Sequence, residues 1–190
     1  MILKAVTGIV GLAVALTVAG CGSYAPAYPP QGIDELTIPM PIDPDDFVDE
    51  LDNPWLSLTT GRQAWSGSSP DGPVSVRPDE YAGVATLRLG DRELAQDTDG
   101  NVWQLADDQA WLVITATPRF GDGYRSGPDE VSRVVGAGGP VTLGGTSYPN
   151  SAQILVTTGT TTSVHTYVKD VGEVQVENSD GTTDLRILGP

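Results

Sequence analysis

The acidic residues in the stretch QDTDGNVWQL have the spacing that most resembles a binding site. Asp97, Asp99 and Asn101 alternate as the first ligands of an EF-hand calcium loop do. That loop also requires flanking helices and a glycine at its sixth position, where this chain has Val102. The Asp99-Gly100 pair lies between two runs of alternating apolar pattern, which is typical of a β-hairpin with a type I′ turn. The sequence therefore predicts a hairpin tip and no metal site, with only weak cation binding left open for the exposed carboxylates.

A second candidate for chemistry is His165, the only histidine of the chain. It lies in an alternating run, so we expect it to share a strand face with Tyr167, opposite Val164, as a surface or cross-strand residue. No Gly-x-Ser-x-Gly motif accompanies it, and one histidine with one cysteine argues against a zinc site. The 25 acidic residues guarantee chance carboxylate pairs, and none is singled out for glycosidase chemistry. We therefore expect no catalytic residues and no cofactor.

The first 20 residues have the features of an export signal. Lys4 precedes an apolar run that leads to small residues, as in a secretory signal peptide. The stretch LTVAGCGS resembles the bacterial lipobox, whose cysteine, here Cys21, is diacylated and becomes the new amino terminus. Cys21 is the only cysteine, and thioether attachment explains a lone thiol in an exported protein. The alternative is an uncleaved membrane helix, since about 18–20 apolar residues can span a bilayer.

Lipidation at Cys21 would place the protein at a membrane. Two or more acyl chains, palmitate among them, give stable anchoring where one chain does not. We therefore expect a cell-membrane lipoprotein on the extracytoplasmic side, with its lipid anchor as the membrane partner. The sequence leaves open which layer of the envelope holds it.

The charge balance excludes two classes of partner. The chain has 25 acidic and 10 basic residues, a formal net charge of −15. Nucleic-acid binding needs Lys and Arg to displace counterions from phosphates, and anionic headgroups need the same basic side chains. We expect no nucleic-acid partner. The excess of acids serves solubility, with a basic partner or a divalent cation as the alternatives.

Composition divides the chain into three segments. Residues 1–20 are the predicted signal peptide, and residues 21–42 combine the lipidated cysteine with a Pro-rich, extended tether. Residues 43–190 form the predicted β domain. At its start, Asp43-Pro44 has the pattern of a capped helix beginning, so a short helix is expected there.

After this helix the sequence is typical of β-structure, because short runs rich in Val, Thr and aromatic residues alternate with Gly, Pro and Asp clusters. The predicted fold class is mainly β, a single antiparallel, curved β-sheet or open half-barrel domain with at most one or two short helices. Residues 129–135 are expected to make one helical turn at most, and Gly136–Gly139 a loop. The candidate strands are Gly61–Ser66, Gly83–Leu89, Arg92–Gln96, Val102–Ala106, Ala110–Ala116, Pro140–Leu143, Ala152–Thr158, Ser163–Val168, Glu173–Asn178 and Thr183–Leu188.

Several motifs occur in an order that resembles a family of uncharacterised bacterial secreted and lipid-anchored proteins. Members carry an Asn-Pro-aromatic stretch, an Asp-Gly-Asn-Val-Trp hairpin and a late Val-Gly-x-Val hairpin. The similarity covers about residues 47–178, although Leu94 stands where an aromatic residue is usual and the segment after Trp111 is shortened. It implies an antiparallel β domain, with a curved sheet like those of periplasmic lipoprotein carriers, and no assigned activity. The matching stretches are LDNPWLSLTTG, RELAQDTDGNVWQLADD, TPRFGDGYR, VTLGGTSYPNSAQIL and TYVKDVGEVQVE.

The four tryptophans offer the remaining candidate site. Trp103 and Trp111 fall on neighbouring predicted strands, where cross-strand aromatics can form one platform, although large aromatics in a small β domain are usually core. We expect a non-catalytic binding module for an apolar ligand or a protein partner, with these two residues as the receiving face. The alternatives are a surface scaffold or interaction protein without a small ligand, and a hydrolase.

Overall fold

The computed structural model describes residues 37–58, 61–63, 65–66, 74–185 and 187–188. The predicted signal peptide and Cys21 lie outside the described residues. Within those residues, no helix is long and apolar enough to cross a membrane.

The chain forms sixteen β-strands and one turn of 3-10 helix, Pro44–Asp46, among the described residues. The strands are β1 (Met40–Pro41), β2 (Phe47–Val48), β3 (Gly61–Gln63), β4 (Trp65–Ser66), β5 (Val74–Tyr81), β6 (Val84–Leu89), β7 (Arg92–Asp97), β8 (Val102–Ala106), β9 (Gln109–Ile114), β10 (Gly123–Gly127), β11 (Glu130–Leu143), β12 (Thr146–Thr158), β13 (Thr161–Val168), β14 (Gly172–Asn178), β15 (Thr183–Leu185) and β16 (Ile187–Leu188).

The strands are arranged in two large antiparallel sheets. Sheet I has the order β1-β9-β8-β7-β6-β5-β3, with β2 added beside β7, and sheet II has the order β10-β11-β12-β13-β14-β15. A small third sheet pairs β16 with β4. Most neighbours in space are also neighbours in sequence, because tight turns join the strands. The predicted mainly β, antiparallel fold class is confirmed, and the two sheets do not close into a barrel.

Alternating burial along the strands shows how the core forms. In β9, for example, Ala110, Leu112 and Ile114 are buried, and the residues between them are only half-buried. Every second side chain of a strand points to the same face, because successive side chains point to opposite faces. The main core draws on both sheets and comprises Trp55, Leu56, Val84, Leu94, Ala95, Val102, Trp103, Leu105, Ala110, Leu112, Ile114, Tyr124, Val134, Ala152, Ile154 and Tyr167.

Hydrogen bonds from outside the strand ladders join the two sheets. The Tyr124 hydroxyl of β10 donates to the Val113 carbonyl of β9 at 2.9 Å. The backbone N–H of Asp170, in the β13–β14 turn, donates to the Pro54 carbonyl at 2.6 Å. Burial against sheet I also raises the pKa of the Tyr124 phenol well above its usual value, so this donor stays protonated.

The segment before sheet I is fixed by Asn53 of the Asn-Pro-Trp motif. The Asn53 side chain accepts from the Trp55 N–H at 2.8 Å and donates to the Gly100 carbonyl at 2.7 Å. Gln96 accepts from the Asn53 N–H at 2.8 Å. The LDNPW and DTDGNVW motifs therefore belong to one packed unit.

The short helix predicted after Asp43 is wrong in extent. Asp43 does cap a helical turn, since its Oδ1 accepts from the Asp45 N–H at 3.1 Å, but the turn ends at Asp46. Phe47–Val48 is then extended and pairs with β7. A helical segment this short is not stable alone, so pairing of Phe47–Val48 with the edge of β7 is favoured over a longer helix.

The predicted loop at Gly136–Gly139 is also wrong, because these residues lie within β11. The register of β11 on β12 shifts three times along this stretch, as at β-bulges. Glycine inside a strand often marks such a bulge, and Gly138 takes a positive φ of 75°. The helical turn considered for residues 129–135 is likewise absent, because residues 130–135 are part of β11.

Two further strands are absent from the sequence-based prediction. β5 contains Pro78, which usually argues against a strand, but among the described residues its ladder partner lies on the β6 side alone. β10 combines two glycines with polar residues and shows no apolar alternation. Both strands are specified by their neighbours.

The C-terminal end of the predicted tether takes part in the fold. Met40–Pro41 pairs with β9, and Thr37 forms a parallel bridge to Tyr124. The boundary predicted at residue 43 therefore falls inside the folded part of the chain.

Candidate functional site

The predicted hairpin at Asp97–Asn101 is present, but its turn differs from the predicted type. Only Gly100 has a positive φ, 83°, whereas a type I′ turn would need one at Asp99 as well. The Gly100 N–H donates to the Asp97 carbonyl at 3.0 Å, and the Asp97 N–H donates to the Asn101 carbonyl at 2.9 Å. This is a three-residue loop of a type I turn followed by a left-handed glycine. The two-residue turn with positive φ at both positions is the next one, Asp107-Asp108.

The Asp97 carboxylate is the centre of this hairpin. Its Oδ1 accepts from the backbone N–H groups of Asp99 at 2.9 Å and Asn101 at 2.8 Å. Its Oδ2 accepts from the Asn101 amide at 2.8 Å and the Trp103 indole at 2.7 Å. Two acceptor sites on each oxygen are the full capacity of a carboxylate, so its lone pairs are committed to the protein.

This arrangement gives the acidic motif a structural role. Asp97 holds the turn and orients the indole of Trp103, so the residues with calcium-loop spacing do not form a ligand cage. Among the described residues there is no group of three His, Cys, Asp or Glu side chains that could hold a metal ion.

Trp103 and Trp111 do not form a shared platform. Trp103 lies opposite Leu112 in the ladder, whereas Trp111 lies opposite Gln104, so the two indoles project from opposite faces of sheet I. Trp103 is 5 % exposed and belongs to the core, and Trp111 is half-buried. The receiving face predicted from these two residues is therefore wrong in its geometry. Trp55 is a core residue, and the side chain of Trp65 lies outside the described part of the structure.

A cleft of about 560 Å³, called here the inter-sheet cleft, lies between the two sheets. Sheet I contributes Arg92, Gln104 and Val113, and β12 of sheet II contributes Ile154, Val156 and Thr158. The rest of the lining comes from β10, β11, their connection and β13. It consists of Ser126, Gly127, Pro128, Asp129, Glu130, Ser132, Ser163, His165 and Tyr167.

One row of side chains on β13 runs from the core to this cleft. Ser163, His165 and Tyr167 alternate along the strand and so share a face, as predicted for the last two. Tyr167 is buried at the inner end, while His165 and Ser163 are half-buried where the cleft opens. The row therefore runs from the buried Tyr167 to two side chains, His165 and Ser163, that a ligand can reach.

A β-bulge brings Glu173 to the same face. Thr166 pairs with Gln175, but the next residue, Tyr167, pairs with Glu173, so the ladder skips one residue of β14. Without this bulge the alternation along β14 would direct Glu173 to the opposite face, where Val174 packs with Leu143. The extra residue thus re-aims a carboxylate toward His165.

The three polar side chains form a hydrogen-bonded chain. His165 Nδ1 lies 2.6 Å from Glu173 Oε1, and His165 Nε2 lies 3.0 Å from Ser163 Oγ. An ionised carboxylate only accepts, so Nδ1 carries the proton in the neutral imidazole. Nε2 is then the acceptor, and the Ser163 hydroxyl donates to it.

A contact from Tyr167 holds this hydrogen-bonded chain in place. Burial, followed by the charge of Glu173, raises the pKa of the Tyr167 phenol well above its usual value. The Tyr167 hydroxyl remains protonated and donates a hydrogen bond to Glu173. On the sheet I side of the cleft, Arg92 Nε donates to Gln104 Oε1 at 2.8 Å, which holds the guanidinium at the lining.

A second cleft, of about 360 Å³, lies between residues 48–52 and strands β5 to β7. Its lining includes four acids, Asp49, Glu50, Asp52 and Asp79, together with Leu51, Leu58, Leu87 and Leu94. Among the residues that the structure describes, no lysine, arginine or histidine lines it, so this lining lacks the mixture of acid, base and nucleophile that the inter-sheet cleft has.

The sequence prediction located His165 on its strand face but missed Ser163, Glu173, Arg92 and Gln104. The pair Ser163-x-His165 was a usable signal, because residues two apart on a strand are neighbours on one face. Comparisons with models of known protein families, with curated proteins and with solved structures find no match.

Proposed function

We propose that this protein is a lipid-anchored protein of the bacterial envelope whose β domain binds a small ligand in the inter-sheet cleft. The observation that supports binding is the cleft itself, which has a volume within the range of about 300–1,000 Å³ found for small-molecule sites. The support for anchoring is the lipobox-like stretch that ends at Cys21.

The lining indicates the chemistry of the ligand. Val113, Ile154 and Val156 offer an apolar wall, and Arg92 with Gln104 offers polar groups at one side. Sites of this kind bury an apolar body and use few polar groups to orient it. The ligand that fits is mainly apolar and carries a polar or anionic end.

The cleft is tested by filling it. In the full-length chain carrying Cys21→Ser, Val156→Phe places a larger side chain in the lining, and Thr157→Phe is the matched control because the next residue of the strand points to the other face. The neutral fluorophore N-phenyl-1-naphthylamine serves as the apolar ligand. We expect Val156→Phe to weaken its binding at least tenfold and Thr157→Phe to leave it unchanged. Equal binding by both variants, or no binding by the parent chain, would overturn the cleft proposal and favour a scaffold without a small ligand.

The anchor is tested by fractionation. Cys21→Ser removes the only thiol of the chain and with it the proposed attachment point. We expect the wild-type protein in the membrane fraction and the detergent phase, and the variant in the aqueous phase. Detergent partitioning that survives the substitution would refute lipidation and favour an uncleaved membrane helix.

A further inference from the structure

We propose that Ser163, His165 and Glu173 form a nucleophile–base–acid triad that hydrolyses small esters held in the inter-sheet cleft. This inference rests on the proposed function, because it assigns a reaction to the ligand bound there. It goes beyond binding, since it requires a covalent intermediate on Ser163.

The geometry matches what acyl transfer needs. A serine is a weak nucleophile unless an adjacent base removes its proton, and the base needs a third group to fix its tautomer. His165 Nε2 at 3.0 Å from Ser163 Oγ meets the first condition, and Glu173 Oε1 at 2.6 Å from Nδ1 meets the second. The bulge on β14 and the Tyr167 hydroxyl hold Glu173 in that position.

The surroundings of the triad suit a hydrolytic site. Ser163 and His165 both line the cleft, and the triad lies at its wall without being sealed in the core. Val156, directly opposite Ser163 in the ladder, begins the apolar wall on which an acyl chain can lie. Arg92 is the one lysine or arginine among the described residues of this lining, and it provides positive charge for a developing oxyanion.

Water is the only reactant that the hydrolysis consumes besides the ester. Ser163 Oγ forms a bond to the ester carbonyl carbon while its proton passes to His165 Nε2, and that proton leaves with the departing alcohol. Water then attacks the acyl-serine, giving its proton to His165, and the carboxylic acid is released as Ser163 recovers the proton. Glu173 keeps its charge throughout and stabilises the imidazolium.

A serine-directed phosphonofluoridate tests the nucleophile directly. In this labelling Ser163 Oγ displaces fluoride at phosphorus, and peptide mass spectrometry locates the adduct. We expect the chain carrying Cys21→Ser to be labelled at Ser163 and to hydrolyse p-nitrophenyl butyrate, and Ser163→Ala to lose both activities. Ser147→Ala is the matched control, since Ser147 is an exposed serine of β12 that does not line the cleft.

The roles of the base and the acid are separated by two further variants. His165→Gln should lower the labelling rate by roughly 10²–10⁴-fold, the usual contribution of a general base. Glu173→Gln should lower it as well, and thermal melting must show that each variant is folded. Ser163→Cys offers a readout independent of hydrolysis, because a thiol beside this histidine should alkylate with iodoacetamide faster than one introduced by Ser126→Cys.

The outcomes distinguish the triad from the cleft. Fluorophore binding without labelling at Ser163, in a folded chain, overturns the triad and leaves the binding function standing. Labelling that Ser163→Ala does not abolish, or equal alkylation rates for the two cysteine variants, also overturns it. Loss of fluorophore binding with specific labelling retained would reject the apolar ligand and keep the nucleophile.

Discussion

Replacement of Asp97 by alanine is the strongest test of how the hairpin is stabilised. Asp97 is only 8 % exposed, and its carboxylate accepts four hydrogen bonds, from Asp99, twice from Asn101 and from the Trp103 indole. Asp97→Ala removes all four acceptors at once. The indole N–H is the costliest donor to leave unpaired, because its bond is buried.

The expected loss follows from the burial of the donors. A buried donor left without a partner costs about 1–3 kcal/mol, and a hydrogen bond to a charged group contributes about 1.5–3 kcal/mol. Water can replace the carboxylate at the partly exposed Asp99 and Asn101 N–H groups, so the four contributions do not add. We expect a destabilisation of about 3 kcal/mol, most of it from the loss of the Trp103 indole bond and the Asn101 side-chain bond.

Urea unfolding followed by circular dichroism measures this loss. With a slope of about 1–3 kcal/mol per molar urea, the midpoint should fall by about 1–3 M. Asp99→Ala is the matched control, since Asp99 is an exposed acid of the same turn and should shift the free energy of unfolding by less than about 0.5 kcal/mol. A loss below about 1 kcal/mol for Asp97→Ala would refute the argument that this carboxylate organises the hairpin. A melting temperature that rises with calcium in the wild type and not in Asp97→Ala would restore a metal site.

Two further predictions concern buried aromatic residues. The raised pKa values of Tyr124 and Tyr167 mean that the unfolded chain ionises first, near pH 10, so stability is complete below that pH and falls above it by about 1.4 kcal/mol per pH unit for each phenol. Urea midpoints measured from pH 8 to 11 should decline, less steeply in Tyr124→Phe, and a slope that this variant leaves unchanged would contradict the assignment. Trp103→Ala should cost about 3–5 kcal/mol as a core truncation, and the half-buried Trp111→Ala roughly half of that or less. Equal losses of unfolding free energy for the two variants, measured by urea unfolding, would contradict the difference in burial between the two indoles.

The sequence predicted strands well where local pattern and turn residues agree. Val102–Ala106 is predicted with the observed bounds, and β6, β7 and β9 differ by one or two residues at their ends. Short turns that contain Gly or Asp join these four strands. The prediction failed where neighbours supply what the local sequence lacks, as in β5 with its proline and β11 with its glycines. Phe47–Val48 failed in the same way, since its extended form depends on an edge of β7 far away in the sequence.

The candidate site was harder to predict, because its acid reaches the histidine only through a break in the strand pattern. Alternation along β13 is enough to place Ser163 and His165 on one face. Counting from the His165–Val176 pair, however, the same alternation places Glu173 on the far face of sheet II, among Val174 and its apolar neighbours. One additional residue in β14 reverses that parity and turns the carboxylate toward His165. A strand pattern read residue by residue contains no mark of this reversal, since the bulge is defined only by which residues pair across the ladder. The polar chain from Tyr167 through Glu173 and His165 to Ser163 is therefore a property of the register between two strands.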